Sequence, residues 1–60
     1  MRSKLIELRK KKGYTQKEMA DNLKIARSTY AGYESGNFYP SLRIASEIKR
    51  ILKYGKDDLI

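Results

Sequence analysis

The chain has 60 residues, enough for one domain at most, and it contains neither cysteine nor histidine. These absences exclude disulfide bonds and the usual zinc ligands, so we expect no metal, cofactor or catalytic centre. The net charge of +7 favours a polyanionic partner, such as nucleic acid, an anionic membrane surface or an acidic protein.

The start of the chain lacks the pattern of a signal peptide. Its one apolar cluster, formed by Leu5, Ile6 and Leu8, is interrupted by Glu7. No apolar run approaches the roughly 18 residues of a membrane helix. We therefore expect a cytoplasmic protein.

The first predicted helix covers about residues 3–12. Leu5, Ile6 and Leu8 form its inner face, and Gly13 follows where a glycine commonly ends a helix. The basic run at residues 9–12 occupies the last turn. There, a solvated run that complements the helix dipole is favoured over direct contact with nucleic acid.

The second predicted helix has the clearest start. Thr15 followed by Glu18 forms a capping box, in which each side chain accepts a hydrogen bond from the other residue's backbone. Tyr14 and Met19 have the spacing of a hydrophobic staple around this start. The helix is predicted to end near residue 22 or 23.

A tight connection at residues 24–25 leads to the third predicted helix, at about residues 27–35. Tyr30 and Tyr33 lie three positions apart and are predicted to face inward. Gly36 is predicted to close the helix.

Ser41 is the predicted N-cap of the fourth helix, and Gly55 is its predicted end. Its predicted inner face is a stripe of apolar residues at helical spacing: Leu42, Ala45, Ile48 and Leu52. Residues 57–60 are predicted to form the first turn of a fifth helix. Nothing in the chain alternates as a strand would.

Helix 2, the tight turn and helix 3 have the dimensions of a helix-turn-helix unit. If the two tyrosines of helix 3 face inward, its outward face comprises Arg27, Ser28, Ala31, Gly32 and Ser35. Small residues with one long cationic donor can enter a DNA major groove closely. Gly32 either permits a close backbone approach or is simply tolerated on an exposed face.

Motifs along nearly the whole chain, from Leu5 to Leu59, are similar to those of the Cro and phage-repressor family of helix-turn-helix proteins, the XRE family. The matching segments are Leu8-Arg9, Gly13-Tyr14-Thr15-Gln16, Met19-Ala20, Leu23-Lys24-Ile25, Ser28-Thr29-Tyr30, Tyr33-Glu34-Ser35-Gly36, Pro40-Ser41-Leu42 and Asp57-Asp58-Leu59.

The resemblance implies two sets of DNA contacts. The implied base contacts are Arg27, Ser28, Ala31 and Gly32, and the implied phosphate contacts are Thr15, Gln16, Lys17, Ser35, Asn37, Tyr39 and Arg43. Four of these residues have an alternative role: Gln16 and Arg43 as merely solvated residues, Arg27 as a phosphate ligand and Ser28 as a helix cap. The resemblance also implies an ion pair between Arg9 and Glu34 that joins helix 1 to helix 3.

The chain departs from the family pattern at two positions. Lys24 stands where the family usually has glycine, which predicts a lysine at positive φ or a different turn. Ala26 stands where the family usually has a capping serine or threonine. Ser28 could cap instead, which would start helix 3 later and rotate its outward face.

These inferences combine into one prediction of fold and function. The predicted fold is all-α, a compact four-to-five-helix bundle of the lambda-repressor-like type, with residues 1–60 as a single domain. The predicted function is sequence-specific binding of double-stranded DNA by helix 3 in the major groove. The resemblance implies a transcriptional regulator, a repressor in preference to an activator, with a homodimer on a near-palindromic site as one arrangement.

The alternative is a small protein-interaction module of the same fold, antitoxin-like or anti-repressor, that binds an acidic partner. Neither function requires a small-molecule ligand, and we do not expect an enzyme. A membrane-surface peptide would need one long amphipathic helix, which the repeated glycines and caps exclude.

Overall fold

The computed structural model describes residues 1–56, 58 and 59. In this part of the chain there are four α-helices and no strand: α1 (Ser3–Lys12), α2 (Gln16–Leu23), α3 (Arg27–Ser35) and α4 (Leu42–Ile51). The predicted all-α fold is confirmed. In the same residues, none of the helices has the length and apolar character needed to cross a bilayer.

Side-chain caps begin two of the helices. The Thr15 hydroxyl accepts a hydrogen bond from the Glu18 amide at 3.0 Å, and the Glu18 carboxylate accepts one from the Thr15 amide at 2.8 Å. The Ser41 hydroxyl likewise accepts a hydrogen bond from the Ile44 amide. Helix α3 has no side-chain cap, yet it still begins directly after Ala26. A later start capped by Ser28 is therefore wrong.

Residues in the left-handed conformation end the first three helices. Gly13 has a φ of +84° and Gly36 a φ of +90°, as expected for glycines in this position. Lys24 adopts the same region, with a φ of +59°, in the turn between α2 and α3. The prediction of a lysine at positive φ is confirmed, at a cost of about 1 kcal/mol for a side chain in this region.

The end of α4 differs from the prediction. The helix ends at Ile51, and Gly55 plays no part in its end. Lys53 adopts a φ of +54°, and the Tyr54 amide donates to the Lys49 carbonyl at 2.9 Å. A lysine therefore fills the left-handed position of this helix end in place of a glycine.

One apolar core joins the four helices, with side chains from every helix and from the segment that follows α4. The predicted inward positions of Tyr30 and Tyr33 are confirmed, and their rings meet edge to face, 6.3 Å apart. The buried apolar residues are Leu5, Met19, Ala20, Leu23, Tyr30, Tyr33, Ile44, Ile48, Leu52 and Leu59.

Of two predictions near the end of the chain, the one for Leu42 is wrong, and the one for a fifth helix lies partly outside the described residues. Leu42, predicted on the inner face of α4, is 89% exposed because it occupies the first position of the helix, beyond the edge of the core. The predicted first turn of a fifth helix includes Asp57 and Ile60, which lie outside the described residues. Asp58 and Leu59 are not helical.

Candidate nucleic-acid interface

A buried ion pair fixes α3 against α1. The Arg9 Nε atom lies 2.5 Å from Glu34 Oε2, and Arg9 Nη2 lies 3.3 Å from Glu34 Oε1. Arg9 Nη1 also donates to the Tyr14 carbonyl at 2.8 Å. Both side chains of the pair are at least nine-tenths buried. The ion pair implied by the family resemblance is therefore present, and it sets the position of α3.

Gln16 and Tyr30 complete the surroundings of this pair. The side-chain amide of Gln16 donates to Glu34 Oε1 at 2.9 Å, so α2 also contacts the carboxylate. Burial alone would raise the pKa of Glu34, but the hydrogen bonds from Arg9 and Gln16 outweigh burial and lower it. The hydrogen bond to Glu34 raises the pKa of Arg9. The pair stays ionised in the folded protein.

The Tyr30 hydroxyl lies beside the same carboxylate. Burial, together with the negative charge of Glu34, raises the pKa of this phenol well above its ordinary value. Among the described residues, its oxygen is the one buried side-chain polar atom without a hydrogen bond of good geometry. Its interaction with the carboxylate therefore offsets the cost of burying the hydroxyl only in part.

The exposed face of α3 carries three of the four predicted base contacts. Arg27 and Ser28 are exposed in the first turn, and Ala31 is half-buried one turn later. The first turn has no side-chain cap, so no capping side chain occupies its free backbone amides. This face combines small side chains, one guanidinium and helix N-terminal amides.

The outward position predicted for Gly32 is wrong. The residue is buried, and the ring of Phe38 from the following loop covers it. A Cβ atom at this position would lie 2.1 Å from Phe38 Cδ2, so only glycine leaves room for the ring. The Gly32 carbonyl accepts hydrogen bonds from the Gly36 and Phe38 amides, both at 3.1 Å. Gly32 therefore makes room for the Phe38 ring within the protein. Neither sequence interpretation, a close backbone approach or tolerance on an exposed face, included this role.

The predicted phosphate contacts on α2 and α4 are exposed or half-buried. Thr15 is exposed, and its capping bond uses an oxygen lone pair, so the hydroxyl proton remains free to donate. Half-buried Gln16 uses one of its two amide protons on Glu34. Lys17 and Arg43 are exposed and make intrahelical ion pairs, at 3.0 Å and 3.7 Å. Such exposed pairs are weak and exchange readily for a phosphate.

The predicted contacts after α3 fall into two groups. Asn37 and Tyr39 are exposed, and Tyr39 is 82% exposed. The Ser35 hydroxyl donates to the Gly32 carbonyl at 3.2 Å, so its proton is already used within the chain. Asn37 and Tyr39 therefore keep donors available in this segment, and Ser35 does not.

Arg2 contacts the same segment and was not predicted. Its guanidinium donates to the Tyr33 carbonyl and, at 3.0 Å, to the Phe38 carbonyl. It also lies over the Tyr39 ring, 4.5 Å from the ring centroid. Arg2 precedes the first helix and belongs to no periodic pattern, so the sequence carries no signal for these long-range contacts.

The comparison with known proteins fits this geometry. A helix-turn-helix family model matches residues 5–59, which is nearly the whole chain and includes α2, the turn and α3. The chain belongs to the XRE family of helix-turn-helix proteins. No solved structure matches the chain significantly.

Three relatives illustrate the family. The chain is 46% identical over 57 residues to the HTH-type transcriptional regulator AnsR of Bacillus subtilis, covering 95% of this chain and 49% of AnsR. It is 39% identical over 59 residues to an uncharacterised HTH-type transcriptional regulator of Archaeoglobus fulgidus, covering 98% of this chain and 84% of that protein. It is 39% identical over 57 residues to the SPbeta prophage-derived uncharacterised HTH-type transcriptional regulator YonR of B. subtilis, covering 95% of this chain and 53% of YonR. The chain thus spans about half of AnsR and of YonR.

Proposed function

We propose that this chain binds double-stranded DNA sequence-specifically, with α3 in the major groove, as a transcriptional regulator that acts as a repressor. The observation that carries the proposal is the exposed face of α3, where Arg27 and Ser28 stand at the start of an anchored helix. The major groove is about 12 Å wide and admits one helix, and an arginine can donate to both acceptors of a guanine.

Charge and the flanking residues support the same arrangement. The net charge of +7 supplies the sequence-independent attraction to phosphates. Thr15, Gln16 and Lys17 at the start of α2, and Asn37, Tyr39 and Arg43 beyond α3, are the proposed phosphate contacts. They flank α3 in the sequence on both sides, as phosphate contacts that fix a helix in its groove would.

The regulatory role rests on the relatives. AnsR and YonR are named as transcriptional regulators, and we propose the same role for this chain. In a homodimer, two copies of α3 would lie about 34 Å apart on successive major grooves of a near-palindromic site.

The experiment is a selection from random duplex DNA at near-physiological salt, followed by sequencing of the retained duplexes. We expect a two-fold symmetric motif, whose half-site spacing gives the dimer geometry. A single half-site would contradict the dimer and keep the DNA-binding proposal. Retention without a motif would refute base contacts by Arg27 and Ser28, and no retention would favour binding of an acidic protein.

A matched pair of variants tests the base contact itself. Arg27→Ala and Lys11→Ala each remove one exposed positive charge, but Lys11 lies in the last turn of α1. We expect Arg27→Ala to weaken binding by about 1–3 kcal/mol and to relax the preference at one base pair. Lys11→Ala should preserve the preferred sequence. Equal effects of both variants on sequence preference would refute the assignment of Arg27.

A further inference from the structure

We propose that Arg2 is a positioning residue for DNA binding: it holds the loop after the DNA-facing helix in place without touching DNA. The proposal rests on the proposed function and adds a residue that lies outside the helix-turn-helix unit. Arg2 belongs to the segment that enters α1, 31 to 37 positions before the groups that it contacts.

Arg2 supplies donors to carbonyl groups that the end of α3 leaves open. The last carbonyls of a helix have no partner within it. The Arg2 amide donates to the Glu34 carbonyl at 2.8 Å, and its guanidinium donates to the Tyr33 carbonyl. A positive charge at a helix C-terminus is also favoured by the helix dipole. Arg2 therefore caps α3 from another part of the chain.

The same guanidinium fixes the loop that follows. It donates to the Phe38 carbonyl at 3.0 Å and lies over the Tyr39 ring. Phe38 in turn packs on Gly32, and its amide bonds to the Gly32 carbonyl. Tyr39, 82% exposed, has little other support. Arg2 and Gly32 together hold both ends of a short loop that carries two proposed phosphate contacts, Asn37 and Tyr39.

A loop that is ordered before binding loses less conformational entropy when DNA binds. Arg2 Nη1 uses both of its protons on two carbonyl groups, and the face of the guanidinium lies over a ring, so the group is already engaged within the chain. The planar guanidinium stacks on the Tyr39 ring while Nη1 donates to the carbonyl groups, whereas a lysine ammonium has no planar face to stack. Arg2→Lys should therefore lose most of the effect while keeping the charge.

The first test uses the free protein. Amide hydrogen exchange is compared for wild type, Arg2→Ala, Arg2→Lys and Lys4→Ala. Lys4 is the matched control, because it is exposed, carries the same charge and contacts Tyr54. We expect the Phe38 amide to exchange roughly ten-fold faster in both Arg2 variants, while core amides of α2 keep their protection. Unchanged protection of Phe38, or a uniform loss at all amides, would overturn the proposal.

The second test measures affinity for the duplex that wild type retains in the selection, over a range of salt concentrations at which every variant is folded. We expect both Arg2 variants to bind about ten-fold more weakly, with an unchanged slope of log Kd against log salt. Lys4→Ala should bind nearly as wild type does. A slope that falls by about one for Arg2→Ala, with affinity retained by Arg2→Lys, would show a direct phosphate contact and overturn the positioning role.

The two failures can be told apart. Wild-type protein that retains no duplex refutes the proposed function and the role of Arg2 with it. Wild type that binds a specific duplex, while Arg2→Ala binds equally well, refutes only the role of Arg2.

Discussion

Removal of either partner of the Arg9–Glu34 pair alone should destabilise the protein more than removal of both, because one buried charge is left uncompensated. Arg9→Met leaves a buried carboxylate with Gln16 as its remaining hydrogen-bond donor. Glu34→Leu leaves a buried guanidinium with the Tyr14 carbonyl as its remaining acceptor. Breaking one side of a buried pair costs about 3–5 kcal/mol, and the remaining partner in each variant places both near 3 kcal/mol.

The double variant replaces both charges with apolar side chains and leaves no uncompensated ion. We expect it to cost less than either single variant, which gives a coupling energy of about 3 kcal/mol or more between Arg9 and Glu34. A domain of 60 residues has a total stability of only about 3–9 kcal/mol. Each single variant should therefore lose a large part of the free energy of unfolding.

The assay is urea unfolding of the four proteins of the cycle, in a constant concentration of a stabilising osmolyte that keeps the single variants folded. Each midpoint gives a free energy of unfolding. Additivity of the two single variants within about 0.5 kcal/mol would refute the coupling, since residues without a shared interaction behave in that way.

Other residues give further predictions. The lowered pKa of Glu34 stabilises the fold above its ordinary pKa of 4.5, so wild type should lose stability relative to Glu34→Gln as the pH falls below that value; parallel pH profiles would contradict it. The raised pKa of Tyr30 means that stability declines as the pH rises above 10.0, and Tyr30→Phe should flatten this decline while costing nothing at pH 7, as thermal unfolding can measure. Ala26→Ser should add about 1 kcal/mol by capping α3, and no rise in melting temperature would count against this. Gly32→Ala should lower the free energy of unfolding of the wild-type protein, because the added Cβ meets the Phe38 ring. In a Phe38→Ala background the same change should raise the free energy of unfolding by up to about 1 kcal/mol. A change of the same sign in both backgrounds would refute the packing argument.

Local signals account for what the sequence predicted. The capping box at Thr15 and the glycine ends of α1 and α3 involve residues only a few positions apart, so their chemistry is visible in the chain. The inward tyrosines of α3 followed from helical spacing. The prediction of the ion pair came from the family resemblance, because nothing in the composition relates Arg9 to Glu34.

Long-range packing accounts for what the sequence missed. The burial of Gly32 depends on where Phe38 folds back, and the contacts of Arg2 depend on how α1 meets α3. The residue that ends α4 was placed two positions too late, at Gly55, because Lys53 adopts the left-handed conformation at a small energetic cost that a glycine would avoid. These outcomes depend on the assembled tertiary structure, which periodicity and turn chemistry do not specify.

The supports of α3 also limit how freely its specificity could be transplanted. Arg9 and Arg2 reach it from α1 and the segment before it, and Gln16 reaches it from α2. A graft of residues 15–36 into a foreign scaffold would carry the contacting face but leave Glu34 without its arginine. A designer who wishes to move this face to another protein would therefore need to move the first helix as well.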